Sequence, residues 1–174
     1  MHILIMRHGE AANSAAEDSL RPLTKQGIVE AEKMGLWLSS RKKTLIKVFV
    51  SPYKRAQQSC KSVISVIEKN TMLKEITPET LSFITPSGNA HQVHDYLDGF
   101  LQNIGAVVDD NGEDENQAVL FVSHMPFVSY LVAELTGSVN MPIFSTGAIA
   151  VIDYDIKKMA GKIVDMVSPE KVNM

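Results

Sequence analysis

Two histidines and two arginines stand out because each sits in a short polar segment that follows an apolar run: Arg7-His8-Gly9-Glu10, Ser51-Pro52-Tyr53-Lys54-Arg55 and Ser123-His124-Met125-Pro126. Arginine presents a planar fork that bonds two oxygens of one phosphate and stays charged at any working pH. Histidine can attack or donate a proton near neutrality. Gathered at one site without a cluster of carboxylates, these four side chains suit a dianionic phosphoryl group. At ~4 Å and an effective dielectric of about 20, each charge pair with such a group is worth on the order of 4 kcal/mol before desolvation. Several together hold a small anion and stabilise its transition state. Zinc is the competing use of paired histidines, but HExxH and CxxC spacings are missing and the neighbouring arginines repel a dication. No metal and no cofactor are expected. Taken singly, each residue reads more readily as a loop side chain that caps a helix or joins a surface ion pair, so the chemistry depends on whether the fold brings them together.

The elements needed to do that are visible in the apolar pattern. "HILIM" (His2 to Met6) is a continuous aliphatic run, the mark of a strand buried on both faces. From Thr24, a plausible N-cap, Ile28, Ala31, Gly35 and Leu38 recur three or four apart, with Met34 beside them and Lys25, Glu30, Glu32 and Lys33 on other faces; this predicts an amphipathic helix. "LIKVFV" (Leu45 to Val50) is a second strand, and Ala56, Cys60, Val63, Ile64 and Ile67 mark a second helix. A helix at Gln92 to Leu101 precedes a third strand, "AVLFV" (Ala118 to Val122), and "PFVSYLVAELTG" is a helix opened by proline and closed at Gly137. "AIAVIDY" (Ala148 to Tyr154) and "KIVDMV" (Lys162 to Val167) form a terminal hairpin around a Gly161 turn. The alternation predicts an α/β three-layer sandwich with a mostly parallel central sheet flanked by helices. Ligands of such sheets bind beyond the carboxyl ends of the strands, where all three polar segments fall.

Composition narrows the function classes further. At 174 residues and 45% hydrophobic the chain reads as one globular domain spanning residues 1–174. A chain of this length removes about 70% of its unfolded surface from water, so neither disulfides nor a structural metal is required. The single Cys60 fits a reducing compartment. With 17 basic against 20 acidic residues and a net charge of −3, the basic footprint of a nucleic-acid binder is missing. Only four apolar residues precede Arg7, too few for a secretory signal, and no run approaches the ~20 residues of a membrane span. The chain is therefore expected to be cytoplasmic, without membrane or nucleic-acid partners. The acidic stretch Asp109 to Gln117 reads as a solvated loop.

Four blocks resemble a known family. "LIMRHGE" (Leu4 to Glu10), "RPLTKQG" (Arg21 to Gly27), "VSPYKRAQQS" (Val50 to Ser59) and "VSHMP" (Val122 to Pro126) are similar, in order, to the motifs of the histidine phosphatase superfamily, the phosphoglycerate-mutase-like group. The resemblance spans about Met1 to Ala150. Within the group it is strongest to the small bacterial SixA-type phosphohistidine phosphatases, on "AANSAAEDSLRPLT", "SHMPFVSYLVAEL" and "ETLSFITPSG". Ser59 stands where a threonine is usual and keeps the hydroxyl. The helical insertion that roofs the mutase pocket has no room, since Ser82 to Asn89 is a short connector. The acidic stretch has no match in the family.

The resemblance implies that His8 is the nucleophile, accepting the phosphoryl group on a ring nitrogen, and that Arg7, Arg55 and His124 bind its oxygens. Arg21 adds a contact or pairs with Glu17 or Asp18. Asp18 is the preferred proton donor; Glu79 near the missing insertion is an alternative, and Glu10 either donates or orients a histidine. The implied substrate is a phosphohistidine-bearing signalling protein, with phosphate or other oxyanions as ligands and the enzyme a monomer. Transfer from one imidazole to another is close to thermoneutral and asks little of the donor, whereas a sugar alkoxide needs a strong one. A small-molecule phosphomonoesterase of the same superfamily is the alternative, and a non-catalytic phosphate-binding interaction module a further one. His8 must be neutral to attack while a protonated His124 holds oxygen and gains from the bound dianion, so with that dianion in place the pKa of His8 is expected to lie below that of His124.

Overall fold

The computed structural model describes residues 1–41, 43–71, 76–104 and 116–172. Among the described residues the α-helices and β-strands follow one another as β1 (His2–Arg7), α1 (Lys25–Ser40), β2 (Thr44–Val50), α2 (Lys54–Asn70), β3 (Glu79–Thr80), α3 (Ala90–Asn103), β4 (Gln117–Ser123), α4 (Phe127–Thr136), β5 (Ile149–Asp155) and β6 (Ala160–Val167). The strands form one sheet in the order β3-β2-β4-β1-β5-β6. The first four pair in parallel, and β5 and β6 add an antiparallel edge.

Side chains alternate across a strand, and here both faces are covered. Ile3, Ile5, Phe49, Val119 and Phe121 pack with Val93, Leu97 and Leu101 of α3 and Phe127 and Leu131 of α4. Leu4, Met6, Val48, Val50, Leu120 and Val122 pack with Met34 of α1 and Cys60, Val63 and Ile67 of α2. The continuous apolar runs of β1, β2 and β4 follow from this double burial, and the three-layer α/β sandwich is as the sequence predicts. Among the described residues no helix is long and apolar enough to cross a membrane.

Register fixes the site. Arg7 lies opposite Ser123, and Val50 opposite Val122, so β1, β4 and β2 end at one level. The next backbone groups continue the ladder, with His8 N donating to Ser123 O at 2.9 Å and Ser51 N to Val122 O at 3.0 Å. All three polar segments therefore leave the same edge side by side.

Several local expectations are corrected. Ile28 is exposed and Glu30 is buried, so the inward face of α1 is Gly27, Glu30, Ala31, Met34, Gly35 and Leu38. The rotation lets Gly27 touch the Gly9–Glu10 backbone, where no Cβ fits. Gly161 does not make the hairpin turn: it pairs with Tyr154 inside the β5–β6 ladder, and the turn is residues 156–159, with Met159 taking the positive φ of 49°. Gln117 belongs to β4, where it pairs with Thr44; of the acidic stretch, Asp109 to Glu115 lie outside the described residues. The edge strand β3 carried no apolar run to reveal it.

Candidate active site

His8 is the first residue beyond β1 and is 8% exposed. Its Nδ1 donates to the carbonyl of Gly9 at 2.6 Å. A carbonyl can only accept, so Nδ1 carries the proton and Nε2 keeps its lone pair. That lone pair receives the Nε–H of Arg55 at 3.1 Å. Arg55, 4% exposed, reaches the site from the first turn of α2, and its other two nitrogens hold Asp18: Nη1 donates to the backbone carbonyl at 2.6 Å and Nη2 to Oδ2 at 2.9 Å.

Asp18 is delivered by a loop closed at its stem. Ala11 bridges Leu23, Ala12 N donates to Pro22 O at 2.8 Å, and Leu23 N donates to Gln58 Oε1 at 2.7 Å. Arg21 braces the same loop, donating from Nε to Ala12 O at 2.6 Å and from Nη1 to Asp18 Oδ1 at 2.9 Å. The Arg21 and Arg55 hydrogen bonds hold the Asp18 carboxyl below the usual carboxylate range.

His124 follows β4 and is 1% exposed. Its ring lies 5.0 Å from that of His8 and 4.9 Å from Tyr53, and Arg55 stacks over Tyr53 at 4.9 Å. His124 Nε2 and the Ser51 hydroxyl are hydrogen-bonded at 2.7 Å. With the hydroxyl donating, the proton of a neutral His124 sits on Nδ1. Arg7, the last residue of β1, donates from Nη1 to Phe144 O at 2.6 Å. Among the described residues just two buried side-chain polar atoms have no hydrogen-bond partner, Arg7 Nε and His124 Nδ1. Buried polar groups are almost always satisfied, and Arg7 acts electrostatically on His124, so the two orphans mark where a ligand's acceptor oxygens belong.

Electrostatics follow burial. The pKa of His8 is lowered to about 4, first by burial, with Arg55, Arg7 and Arg21 adding and the Gly9 hydrogen bond opposing. That of His124 is lowered to about 2, again first by burial, then by His8 and Arg55. Burial holds both rings neutral, and His124 feels His8 as well as the arginines; the expected order of the two histidines concerns the complex with a bound dianion. A neutral His124 still offers its Nδ1–H as a donor.

The structure brings Arg7, His8, Arg55 and His124 together, with Asp18 and Arg21 at the rim. Glu10 and Glu79 are engaged elsewhere. Glu10 accepts the Thr24 hydroxyl at 2.6 Å at the start of α1; Glu79 pairs with Lys47 at 2.6 Å and accepts the Tyr96 hydroxyl at 2.9 Å. Sequence reasoning missed Ser51, which orients His124, and Glu30, which accepts Glu10 N at 2.8 Å. It noted Ser59 only as a substitution, yet its Oγ accepts Gly9 N at 3.0 Å and donates to Arg55 O at 2.8 Å, tying the two motifs together. Ser51 and Ser59 lie inside quoted blocks, so motif position was the one available signal. Among the described residues no group of three or more His, Cys, Asp or Glu is gathered as a metal cage.

Comparison with known proteins agrees with this geometry. The profile of the histidine phosphatase superfamily (branch 1) matches residues 3–117. The chain belongs to the histidine phosphatase superfamily. Within the superfamily it is 39% identical to phosphohistidine phosphatase SixA of Escherichia coli strain K12 over 155 residues, covering 89% of this chain and 86% of the relative. A SixA homolog of Haemophilus influenzae is 38% identical over 163 residues, 91% of each chain. The solved structure of the protein histidine phosphatase SixA complexed with tungstate superposes with a TM-score of 0.84 at 35% identity, covering 99% of this chain and 100% of that one. The likeness to that structure thus extends beyond residue 117, where the family match ends.

Proposed function

We propose that this chain is a metal-independent phosphohistidine phosphatase that removes phosphate from a phosphohistidine-bearing signalling protein through a phospho-His8 intermediate. The observation that carries the reading is the pair of orphaned donors, Arg7 Nε and His124 Nδ1, beside a histidine whose unprotonated Nε2 is held by Arg55. In the first step Arg55 gives up Nε2 to the incoming phosphoryl group and bonds its oxygens instead. His8 Nε2 then attacks phosphorus, a P–N bond to His8 forms, and the P–N bond to the substrate imidazole breaks. Water next attacks the phospho-His8 phosphorus, releasing inorganic phosphate and neutral His8.

Asp18 serves as the proton donor in this scheme only after the arginines turn away. While Arg21 and Arg55 hold its oxygens it is a carboxylate with no proton to give at neutral pH. A phosphoryl dianion that recruits both guanidinium groups frees the carboxyl and raises its proton affinity, so Asp18 takes a proton from solvent and passes it to the leaving imidazole as the P–N bond breaks. Arg21 thereby moves from bracing the loop to binding phosphate. The SixA relatives support the substrate class by their names; the monomeric state, a cytoplasmic location and a single domain over residues 1–174 belong to the same reading.

Two measurements test it. Turnover of a phosphohistidine-bearing protein should exceed that of a panel of phosphate esters, and an acid-labile, base-stable phosphoenzyme should form in the wild type and vanish in His8→Ala. Preferential turnover of an ester would favour a phosphomonoesterase, and an equally abundant phosphoenzyme in the variant would assign another nucleophile.

A further inference from the structure

A cavity of about 410 Å³ opens at the end of the sheet where the parallel strands begin. His2 opens β1, Leu45 lies near the start of β2 and Asn116 immediately precedes β4, and all three line it. His8 follows the far end of β1, roughly 20 Å away at about 3.3 Å per residue. Among the described residues none of Arg7, His8, Arg55 and His124 lines this cavity. Its size falls within the range of small-molecule sites, about 300 to 1,000 Å³. The inner wall is apolar. Leu4 and Val151 are register partners across β1 and β5, while Leu38 and Ile67 come from the last turns of α1 and α2. All four are buried.

The charged part of the lining carries Arg41 and Lys43 against Asp165. Arg41 stacks over the Trp37 ring at 4.5 Å, and its Nη2 reaches Asp165 Oδ2 at 3.4 Å, with the two side chains 50% and 43% exposed. An ion pair this long and this exposed is weak, so a better-placed acceptor can take the guanidinium. The cations also converge on His2: after burial, Lys43 is the largest influence lowering its pKa, the N-terminal amino group and Arg41 add to it, and Asp153 opposes. Two helices end beside the cavity, and the partial negative charge of a helix C-terminus favours a cation. Here those carbonyls are engaged. Ser40 Oγ donates to Trp37 O at 2.7 Å, Arg41 N to Leu38 O at 3.0 Å, and Thr71 N and Oγ1 to Ile67 O at 2.9 and 2.8 Å. The net charge that meets a ligand is therefore positive.

We propose that this cavity is a second ligand site, for a small amphipathic anion: a short aliphatic body laid on Leu4, Leu38, Ile67 and Val151, ending in a carboxylate held by Arg41 and Lys43. The carboxylate takes the Arg41 fork in place of Asp165, a charge-assisted pair with the geometry that arginine favours. The apolar wall supplies the hydrophobic gain, and the two cations supply the preference for an anion. The site is separate from the phosphoryl pocket and does not depend on which phosphorylated substrate that pocket accepts.

Trp37 lines the cavity and is the single tryptophan of the chain, so its one indole N–H signal in a proton–nitrogen NMR spectrum reports on this site. The full chain is titrated with octanoate, octanamide and octylammonium, each below its micelle-forming concentration. Octanoate should shift the indole signal saturably, and octanamide, the same chain without the charge, should bind at least about tenfold more weakly. Arg41→Gln/Lys43→Gln should weaken octanoate about tenfold and leave octanamide unchanged, with the melting temperature reporting that the variant folds. Val164→Glu, at a cavity residue 55% exposed, brings in a competing carboxylate and should weaken octanoate on a second, independent change. Arg55→Ala, which disables the phosphoryl pocket, should bind octanoate as the wild type does. The absence of a saturable shift, equal affinity for amide and carboxylate, or a preference for octylammonium each overturns the anion site. Loss of the octanoate response in Arg55→Ala overturns it too, by moving the ligand to the phosphoryl pocket.

Discussion

His8 and His124 are buried in neutral form, and that has a consequence for stability as well as for attack. In an unfolded chain each takes up a proton near pH 6.5, but in the folded protein His8 does so at about 4 and His124 at about 2. Both folded values are depressed, so the stability they contribute is present above the unfolded value and is lost as pH falls below about 6.5. Between about pH 7 and about pH 5 each histidine should lower unfolding free energy by roughly 2 kcal/mol. His2, lowered by burial and Lys43, works in the same direction, while His91, raised by Glu134 and Asp95, opposes it. Urea unfolding across this window should show the loss, and the double variant His8→Gln/His124→Gln should remove most of the slope. A slope that survives both substitutions would mean that the histidines are not buried neutral. The same low value for His8 keeps Nε2 ready to attack through the mildly acidic range.

At the level of elements, the decisive contact is the one between α1 and the loop after β1. A Cβ on Gly27 would strike the backbone of Glu10, and one on Gly9 would strike the backbone of Gly27. Neither neighbour is a flexible side chain, so the clash can be relieved only by moving α1 off the His8 loop. Gly27→Ala is therefore expected to cost about 2 to 4 kcal/mol, the range of overpacking and backbone strain, read as a lower urea midpoint at unchanged slope, together with a fall in kcat. This junction also explains what the sequence concealed. The strands were legible because β1, β2 and β4 are buried on both faces and read as unbroken aliphatic runs. The inward face of α1 was misread because periodicity sends a glutamate to solvent, whereas Glu30 turns inward to accept Glu10 N beside Gly27. Likewise Arg7, His8, Arg55 and His124 were legible by type and position, but the Phe144 carbonyl that holds Arg7 was not. A backbone acceptor 137 residues away leaves no trace in composition or spacing.

For the whole molecule, that distance means the phosphoryl pocket exists only when the sheet is assembled. Arg7 comes from β1, Arg55 from α2, His124 from the end of β4, and the Phe144 carbonyl from the segment before β5; a chain that has not paired β1 with both β4 and β5 has no pocket. An oxyanion should therefore bind the native state alone and stabilise it by mass action, by about 2.7 kcal/mol at a concentration one hundred times its dissociation constant. For a domain of this size that is roughly 5 to 10 °C in Tm. Tungstate or vanadate should give this shift in thermal melts and compete with substrate, and Arg55→Ala should abolish both effects, since Arg55 links His8 to the phosphoryl oxygens. The positive charge of the site is supplied by Arg7, Arg21 and Arg55, the role that bound cations fill in two-metal phosphatases. Exhaustive chelation should accordingly leave both the melting shift and turnover unchanged. If chelation abolished turnover and one divalent ion restored it, the arginines would not be the groups that carry the transition-state charge, and the metal-independent mechanism would have to be abandoned.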